Sequence, residues 1–314
     1  MYKVKIIFIP QRKLFSNAYL YMDARDIHID GEQLQFDKFD FKNLIYDQNG
    51  DFLNPRIAVI AKSGSGKSWV IRDIMYHMRD IACGTVIAPT DKMSGFYNEF
   101  IPPLFIHHEY DNDIIGRLFA RQVEILDKNK RRKSDGKKPV DPRAFLIMDD
   151  CMSSKDKWLK EPKMLSIFNE GRHYKLTFIL AMQYSLGIQP ELRSNFDYIF
   201  LLGEDFVNNR KKLYEHYAGM FPSKDIFEQV FLQITDNYGC MVINNRLRTT
   251  DIKKKVFWYK AKKRDEFIAG SKKYKKFNKK YYEENPKKRI SSFDINQIYT
   301  RSRNRTKIHV QKME

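Results

Sequence analysis

Short apolar runs alternate with longer amphipathic stretches along the central part of the chain. RIAVIA at residues 56–61 has the length and composition of a buried strand, and the pattern after it predicts a helix from Gly66 to about Arg79. Further runs of strand length are GTVIAP at 84–89, AFLIMDD at 144–150, LTFILAM at 176–182 and YIFLL at 198–202. This alternation predicts an α/β fold in which helices cover a mainly parallel sheet.

The two ends of the chain depart from this central pattern. Residues 1–50 contain the short stretches KVKIIFI, DIHID and LQFDKF, which predict a small β-rich N-terminal segment. After residue 252 the sequence is rich in lysine with interleaved tyrosine and phenylalanine. We therefore expect three parts: a β-rich segment at 1–50, an α/β domain at 51–252 and a basic C-terminal extension at 253–314.

Composition narrows the class of protein. The chain has 314 residues, of which 42% are hydrophobic, so it can bury a substantial core. No apolar run approaches the roughly 20 residues that a transmembrane helix needs, and the N-terminus does not resemble a signal peptide. The three cysteines, Cys83, Cys151 and Cys240, are widely spaced, which suits neither a disulfide framework nor a metal site and favours a reducing compartment.

Positive charge is concentrated near the C-terminus. The net charge is +18, and residues 253–314 hold 21 basic and 6 acidic side chains, which accounts for +15 of it. This asymmetry favours a polyanionic partner, nucleic acid above all, over a tail that only aids solubility. The segment KNKRRKSDGKKP at 128–139 is a second basic stretch, predicted as a solvated loop that is either a linker or a polyanion contact.

A glycine-rich motif, AKSGSGKS at 61–68, connects the first predicted strand to the first predicted helix. Glycines in this context let successive backbone N–H groups point at phosphate oxygens, and the helix N-terminus adds a partial positive charge. The motif departs from the usual pattern at Ala61, where glycine is expected; alanine fits if its φ is negative. The residues predicted to bind nucleotide are Ser63, Gly64, Ser65, Gly66, Lys67 and Ser68.

Polar residues at the ends of two later strands complete this candidate site. AFLIMDD ends in Asp149, predicted to hold Mg²⁺ together with Ser68, and in Asp150, predicted to orient and deprotonate the attacking water. Lys67 would reach the β- and γ-phosphates of ATP. Gln183 follows the next apolar strand, where it can sense the γ-phosphate.

Three arginines are candidates to act on a neighbouring subunit's nucleotide. They are Arg172 in NEGRHYKL, Arg193 in PELRSNFDYIF and Arg210 in EDFVNNRKKLYE. An arginine that reaches a γ-phosphate in trans contributes about 10³–10⁵ in rate to phosphoryl transfer. We expect at least one of the three to do so.

These motifs together resemble the genome-packaging ATPases of large nucleocytoplasmic DNA viruses, in the FtsK–HerA superfamily of P-loop motors. The resemblance covers residues 54–245 and rests on AKSGSGKS, LIMDDC, GRHYKLTFILAMQ and PELRSNFDYIF. It implies a RecA/FtsK-like sheet in which the Gln183 strand lies between the strands that carry the phosphate-binding loop and Asp149. It also implies that Arg172 is the leading candidate for the trans-acting arginine.

Partners and location follow from the same resemblance. It implies a homo-oligomeric ring, a pentamer or hexamer, that hydrolyses ATP with Mg²⁺ at its subunit interfaces and moves double-stranded DNA through its pore. It further implies a place in the host cytoplasm, at virus factories, or in the virion, with capsid or internal-membrane proteins as docking partners.

Other readings of the motifs remain open. The nearest alternative is another P-loop motor, such as a helicase or a conjugation-type coupling ATPase, which strand-displacement activity would identify. A nucleotide kinase would need a small-molecule acceptor. A non-enzymatic DNA-binding structural protein would need a decayed nucleotide site, and Lys67, Ser68, Asp149 and Gln183 argue against that decay.

Overall fold

The computed structural model describes residues 24–29, 32–47, 49–183 and 187–283. KVKIIFI and the basic sequence after residue 283 lie outside these residues. The strands of the described part are β1 Ala24–Ile29, β2 Glu32–Asp37, β3 Arg56–Ile60, β4 Cys83–Ile87, β5 Ile106–His107, β6 Ala144–Asp149, β7 Leu176–Met182, β8 Tyr198–Leu202, β9 Gly239–Asn244 and β10 Val256–Lys260.

Eight of these strands form one sheet, in the order β10-β9-β8-β3-β7-β6-β4-β5. The six strands from β8 to β5 are parallel, whereas β9 and β10 add to the β8 side in antiparallel fashion. The α/β fold is therefore confirmed. So is the predicted order at its centre, because β7, which precedes Gln183, pairs with β3 on one side and with β6 on the other.

Helices cover both faces of the sheet. The α-helices of the described residues are α1 Phe41–Ile45, α2 Lys67–His77, α3 Asp91–Ser94, α4 Asn112–Ser134, α5 Lys155–Trp158, α6 Pro162–Glu170, α7 Pro190–Arg193, α8 Val207–Tyr217, α9 Lys224–Thr235, α10 Ile252–Lys255 and α11 Lys272–Tyr281. Short 3-10 turns occupy Phe96–Glu99, Pro103–Phe105, Cys151–Ser154 and Asp236–Tyr238.

The central strands are apolar throughout because both faces of the sheet are covered. Every residue of β3, β6, β7 and β8 is buried, as expected for parallel strands between two helix layers. Two hydrophobic clusters result, one on each face. One holds Ile114 of α4 and Phe168 of α6, and the other holds Ile71 and Ile74 of α2. The helix that follows the phosphate-binding loop is therefore anchored over the middle of the sheet.

Helix α4 continues through the first part of the basic segment 128–139, so the prediction of a loop there was wrong up to Ser134. Basic side chains on the solvent face are compatible with a helix whose other face packs on the core. The helix ends at Ser134, and Gly136, with φ 66°, closes it in a Schellman arrangement. Lys137 N–H donates to Arg132 O at 2.8 Å and Gly136 N–H to Lys133 O at 3.1 Å.

The predicted boundary at residue 252 falls inside the folded body, because β10 pairs with β9 over residues 256–260. At the N-terminal side, β1 and β2 form an antiparallel hairpin. The division of the chain into three domains stays a prediction. No helix of the described residues combines the length and the apolar character that crossing a bilayer requires.

A segment that we call the strap, residues 261–271, leads from β10 across α2 to α11. Its anchor on α2 is the fully buried Asp73, which accepts hydrogen bonds from Tyr259 Oη, from Lys262 N at 2.9 Å and from Arg264 Nε at 2.6 Å. Beyond the strap, Tyr274 Oη donates to Gly84 O at 2.8 Å, beside β4. The start of the C-terminal extension is thus part of the helix layer over the sheet.

Candidate active site

The phosphate-binding loop lies between the carboxyl end of β3 and the first turn of α2. Gly64 and Gly66 have φ of 80° and 97°, in the left-handed region that side-chain-bearing residues rarely adopt. Ala61 is buried and is not among the residues of positive φ, so alanine fits at the position where the usual motif has glycine. Its N–H donates to Met182 O at 3.0 Å, which ties the loop to the end of β7.

Lys67, the first residue of α2, lies between Asp149, the last residue of β6, and Asp150, which follows it. Its ammonium is 3.0 Å from Asp149 Oδ1 and forms a second ion pair with Asp150. The lysine side chain is only 9% exposed, so this charged cluster is largely shielded from solvent. The structure therefore brings together three residues that the sequence places 82 and 83 positions apart.

Asp149 sits in a pocket with another polar residue that the sequence did not reveal, Tyr97. Tyr97 Oη donates to Asp149 Oδ2 at 2.9 Å, and the tyrosine is itself buried. Burial raises the pKa of Asp149, while Lys67 acts against that rise. Burial, reinforced by Asp149, also raises the pKa of Tyr97 well above its ordinary value. The Tyr97 hydroxyl therefore stays protonated and holds one carboxylate oxygen in place.

Asp150 and Gln183 occupy the same edge of the sheet. Asp150 has φ 54° and ψ 30°, a left-handed conformation that Asp tolerates better than most residues, and its N–H donates to Ala181 O at 3.2 Å. Gln183 is exposed and follows directly on β7, between the ends of β3 and β6. Both residues thus lie at strand ends next to the phosphate-binding loop, as their sequence positions predicted.

The donor set suits a hard cation beside a phosphate. Asp149 Oδ1 is buried and accepts no hydrogen bond from the described residues, although Lys67 faces it. Ser68, in the first turn of α2, supplies a hydroxyl oxygen at the same end of the helix. The described residues contain no group of three or more His, Cys, Asp or Glu side chains arranged for a metal. Mg²⁺ in nucleotide sites takes only one or two protein oxygens plus phosphates and water, so these residues fit it.

Arg172 lies at the opposite, amino-terminal edge of the sheet, in the turn before β7. Its guanidinium pairs with the buried carboxylate of Asp197, which precedes β8. Burial lowers the pKa of Arg172 to about 10, with a further contribution from the charges of Arg56 and Arg246. Within one subunit, Arg172 is therefore not part of the site around Lys67.

The other two candidate arginines are also outside this cluster. Arg193 ends α7 and lies over the ring of Tyr217, with its guanidinium carbon 5.7 Å from the ring centroid. Arg210 is buried in α8 and donates to Glu204 O at 3.2 Å and to Asp205 O at 2.6 Å. A role for any of the three in a neighbouring subunit's site stays a prediction.

Lys62 of the phosphate-binding loop makes a contact that the sequence did not predict. It forms an ion pair with Asp205, in the loop that follows β8, and its ammonium lies 5.5 Å from the ring centroid of Phe206. Lys62 and Asp205 are exposed, so this pair adds little stability. It does show that the β8–α8 loop lies beside the nucleotide loop.

Comparisons with known proteins show that the chain is similar to members of one protein family. A family model described as "Poxvirus A32 protein" matches residues 37–214. Protein L437 of Acanthamoeba polyphaga mimivirus is 49% identical over 249 residues, which cover 79% of this chain and 86% of that protein. Protein 075L of Invertebrate iridescent virus 6 is 33% identical over 81% of this chain and 97% of its own length.

Among solved structures, the chain is similar to the genome packaging NTPase B204 from Sulfolobus turreted icosahedral virus 2 in complex with ATP-gammaS. That similarity has 16% identity and a TM-score of 0.44, and it covers 66% of this chain and 96% of the other. The family match is stronger and spans the phosphate-binding loop, both aspartates and Gln183. The chain therefore belongs to the Poxvirus A32 protein family, which confirms the family resemblance drawn from its motifs.

Proposed function

We propose that this ATPase is a double-stranded DNA translocase that packages a viral genome, driven by Mg²⁺-dependent ATP hydrolysis at the subunit interfaces of a homo-oligomeric ring. The observation that carries the proposal is the cluster of Lys67, Asp149 and Asp150 beside Gln183 at one edge of a parallel sheet. Family membership supports the packaging role. The basic surface described below supports DNA as the partner.

In the proposed ATPase cycle, Lys67 exchanges its carboxylate partners for the phosphates of ATP. It pairs with both aspartates, and the phosphates of ATP offer it a larger negative charge at the helix N-terminus. When Lys67 turns to the phosphates, the two carboxylates lose their counter-ion. Asp149, held by Tyr97, would then hold Mg²⁺ together with Ser68, and Asp150 would orient and deprotonate the attacking water. Mg²⁺ would supply charge neutralisation for the phosphoryl oxygens.

Gln183 is suited to report the loss of the γ-phosphate. It is exposed, and its strand is tied to the nucleotide loop by the hydrogen bond from Ala61 N–H to Met182 O. A polar side chain there can contact both the terminal phosphate and the attacking water. We propose that this residue couples the state of the nucleotide to the neighbouring subunit.

Whether the ATP sites are shared between neighbouring subunits can be tested by mixing variants of the lysine and of the arginines. Mixing Lys67→Ala chains with Arg172→Ala chains creates interfaces in which one subunit supplies an intact loop and its neighbour an intact Arg172. If Arg172 acts in trans, the mixture regains ATP turnover that neither variant shows alone. Parallel mixtures with Arg193→Ala and Arg210→Ala identify the acting arginine, and the absence of rescue in all three mixtures contradicts a trans-acting role for this set.

Two exposed basic surfaces are candidates for contact with DNA. All six lysines of α11 are exposed: Lys272, Lys273, Lys275, Lys276, Lys279 and Lys280. The last turns of α4 and the residues after it expose Lys128, Lys130, Arg131, Lys133, Lys137 and Lys138, of which Lys130 and Lys137 pair with nearby aspartates. We propose α11 as the principal contact because none of its six lysines has an acidic partner among the described residues.

Matched substitutions separate the two surfaces. One variant changes Lys275, Lys276, Lys279 and Lys280 to Gln, and its control changes Lys128, Arg131, Lys133 and Lys138 to Gln. Each phosphate contact contributes about 0.9 to the slope of log affinity against log salt concentration. The α11 variant should therefore bind DNA more weakly and with a shallower slope. An effect confined to the control variant moves the contact to α4.

The decisive measurement is ATP turnover with and without long double-stranded DNA, read together with the mass of the assembly. The proposal predicts stimulation by DNA and a mass of five or six 37.5 kDa chains. Turnover that responds to a small phosphate acceptor instead of DNA would favour a nucleotide kinase, and strand displacement would favour a helicase. The proposal places the protein at virus factories in the host cytoplasm or in the virion, docked on capsid or internal-membrane proteins.

A further inference from the structure

An aromatic side chain stands beside the phosphate-binding loop without a role in the site described above. Tyr238, between α9 and β9, is 66% exposed, which is high for a large aromatic residue. A methyl group added at Gly66 would lie 3.7 Å from Tyr238 Cδ1, so the ring borders the last glycine before Lys67. Its ring and hydroxyl have no hydrogen bond or ring contact within residues 24–29, 32–47, 49–183 and 187–283.

The backbone that presents this ring is held in an unfavourable conformation. Asn237 and Tyr238 have φ of 51° and 59°, both in the left-handed region. Asparagine tolerates this region, whereas for Tyr238 it costs about 1 kcal/mol or more. The next residue, Gly239, is packed so closely that a Cβ there would lie 2.0 Å from Ile234 O. A strained turn of this kind persists when the surrounding structure fixes it, and such turns cluster at functional sites.

The order of the strands fixes the direction in which a nucleotide extends from the loop. Asp149, Asp150 and Gln183 lie at the ends of β6 and β7, on one side of β3. The terminal phosphate must face these residues if they act on it. The nucleoside end then points to the other side of β3, toward β8 and β9. Tyr238 lies there, because β9 is antiparallel to β8 and so begins at this same edge.

We propose that Tyr238 stacks on the nucleobase of the bound nucleotide and forms one wall of the base subsite. An exposed, preoriented ring beside the loop offers a flat apolar surface to the base. Stacking covers the faces of the ring and the base, so it removes few of their hydrogen bonds to water. The inference rests on the proposed function, since it requires the triphosphate to lie on Lys67 with its terminal phosphate toward Asp149. Phe206, 63% exposed in the β8–α8 loop, is the matched aromatic residue on the same side.

The test compares a ligand that has a base with one that lacks it. Binding of a non-hydrolysable ATP analogue and of inorganic tripolyphosphate to the full-length protein is measured by calorimetry with Mg²⁺ present. Tyr238→Ala should weaken the analogue about 10- to 100-fold, the range of base–aromatic stacking, and change tripolyphosphate affinity less than about twofold. Tyr238→Phe should retain both affinities, and Phe206→Ala should affect the analogue less than Tyr238→Ala does.

The outcomes distinguish failure of the stacking role of Tyr238 from failure of the proposed nucleotide site at Lys67. Unchanged analogue binding in Tyr238→Ala, or an equal loss for both ligands, overturns the stacking role. Lys67→Ala should weaken both ligands; if it weakens neither, the nucleotide site is elsewhere and the proposed function fails first. Should Tyr238→Ala not fold, Tyr238→Trp gives an independent reading. Its added emission should be quenched by the analogue and not by tripolyphosphate, and an equal response to both overturns the proposal.

Discussion

The two edges of the central sheet carry opposite imbalances of buried charge. At the carboxyl edge two carboxylates, Asp149 and Asp150, share the single ammonium of Lys67. At the amino edge one carboxylate, Asp197, pairs with the guanidinium groups of Arg56 and Arg172. Strand β3 connects the two places, because Arg56 begins it and the loop that carries Lys67 follows it.

A hydrogen-bond network surrounds the carboxylate of Asp197 at the amino edge. Asp197 also accepts the backbone N–H of Arg56 at 2.8 Å, and its own carbonyl accepts from Asn245 N–H at 2.9 Å. Arg56 donates onward to Phe168 O. This network fixes the starts of β3 and β8. Unused hydrogen-bonding capacity remains at both edges, because Arg56 Nε and Arg172 Nε, like Asp149 Oδ1, have no hydrogen-bond partner among the described residues. The edges differ in the kind of group: the amino edge has unused donors, whereas the carboxyl edge has an unused acceptor, which suits a cation.

The largest expected effect is that of Asp149→Asn at the carboxyl edge, which should reduce ATP turnover without reducing stability. Asp149→Asn removes the proposed Mg²⁺ ligand, which is worth several kcal/mol to phosphoryl transfer, so ATP turnover should fall about 10²- to 10³-fold. Because burial raises the pKa of Asp149, its charged form is costly in the folded state, and the neutral amide should unfold at an equal or higher temperature. Loss of both turnover and stability would contradict the contrast between the edges.

The second prediction concerns the amino edge. Asp197→Asn leaves the guanidinium groups of Arg56 and Arg172 without their buried counter-charge, which should lower the free energy of unfolding by about 3 kcal/mol. Urea unfolding of the purified variant measures this loss. Glu170→Gln, an exposed acid at the end of α6, is the control and should change stability by less than about 0.5 kcal/mol. Equal effects of the two substitutions would remove the structural role of Asp197.

The third prediction uses His107, a partly buried residue of β5 at the far edge of the sheet, which has no part in either cluster. Burial lowers the pKa of His107 in β5 to about 4 from its ordinary value of 6.5. Between these pH values the unfolded chain binds a proton that the folded chain does not, so stability should decrease as pH falls from 6.5 toward 4. His107→Gln should flatten this decrease by about 2 kcal/mol at the acid end, measured by urea unfolding at several pH values.

The smallest expected effect is that of Arg172→Ala on stability. The arginine side chain is 42% exposed, so solvent screens its pairing with Asp197. We expect a loss of about 1 kcal/mol in urea unfolding, well below that of Asp197→Asn. A loss as large as that of Asp197→Asn would mean that the pair is fully desolvated and that Arg172 is chiefly structural rather than available to a neighbour.

The strands of the parallel sheet were predictable because each is a short apolar run bounded by polar residues. LTFILAM and YIFLL coincide with β7 and β8, and the predicted helix 66–79 contains α2. Strands β9 and β10 were missed, although GCMVIN and VFWYK are apolar runs of suitable length. They follow a long helical region and lie next to a lysine-rich one, and their place at the β8 edge depends on pairing between distant residues.

The same limit applies to the site. Lys67, Asp149, Asp150 and Gln183 were found because strand–loop motifs in a parallel sheet all end at one edge. Tyr97 was not found, since its contact with Asp149 spans 52 positions and no motif marks it. The same rule places Arg172, which precedes β7, at the opposite edge from Lys67, so its position in the sequence already argued against a role in the Lys67 site of the same subunit.

The strap connects α2, the helix that follows the phosphate-binding loop, to β10 on one side and to α11 on the other. Asp73 of α2 is held from one side by Tyr259, in the outermost antiparallel strand, and by Arg264, while the chain continues to α11 beside β4. The strap is therefore fixed at β10, the outermost strand on one side of the sheet, at α2 and, through α11, at β4. Because α2 and α11 are joined through this segment, we expect a change in the tilt of α2 to displace the lysine-bearing surface of α11.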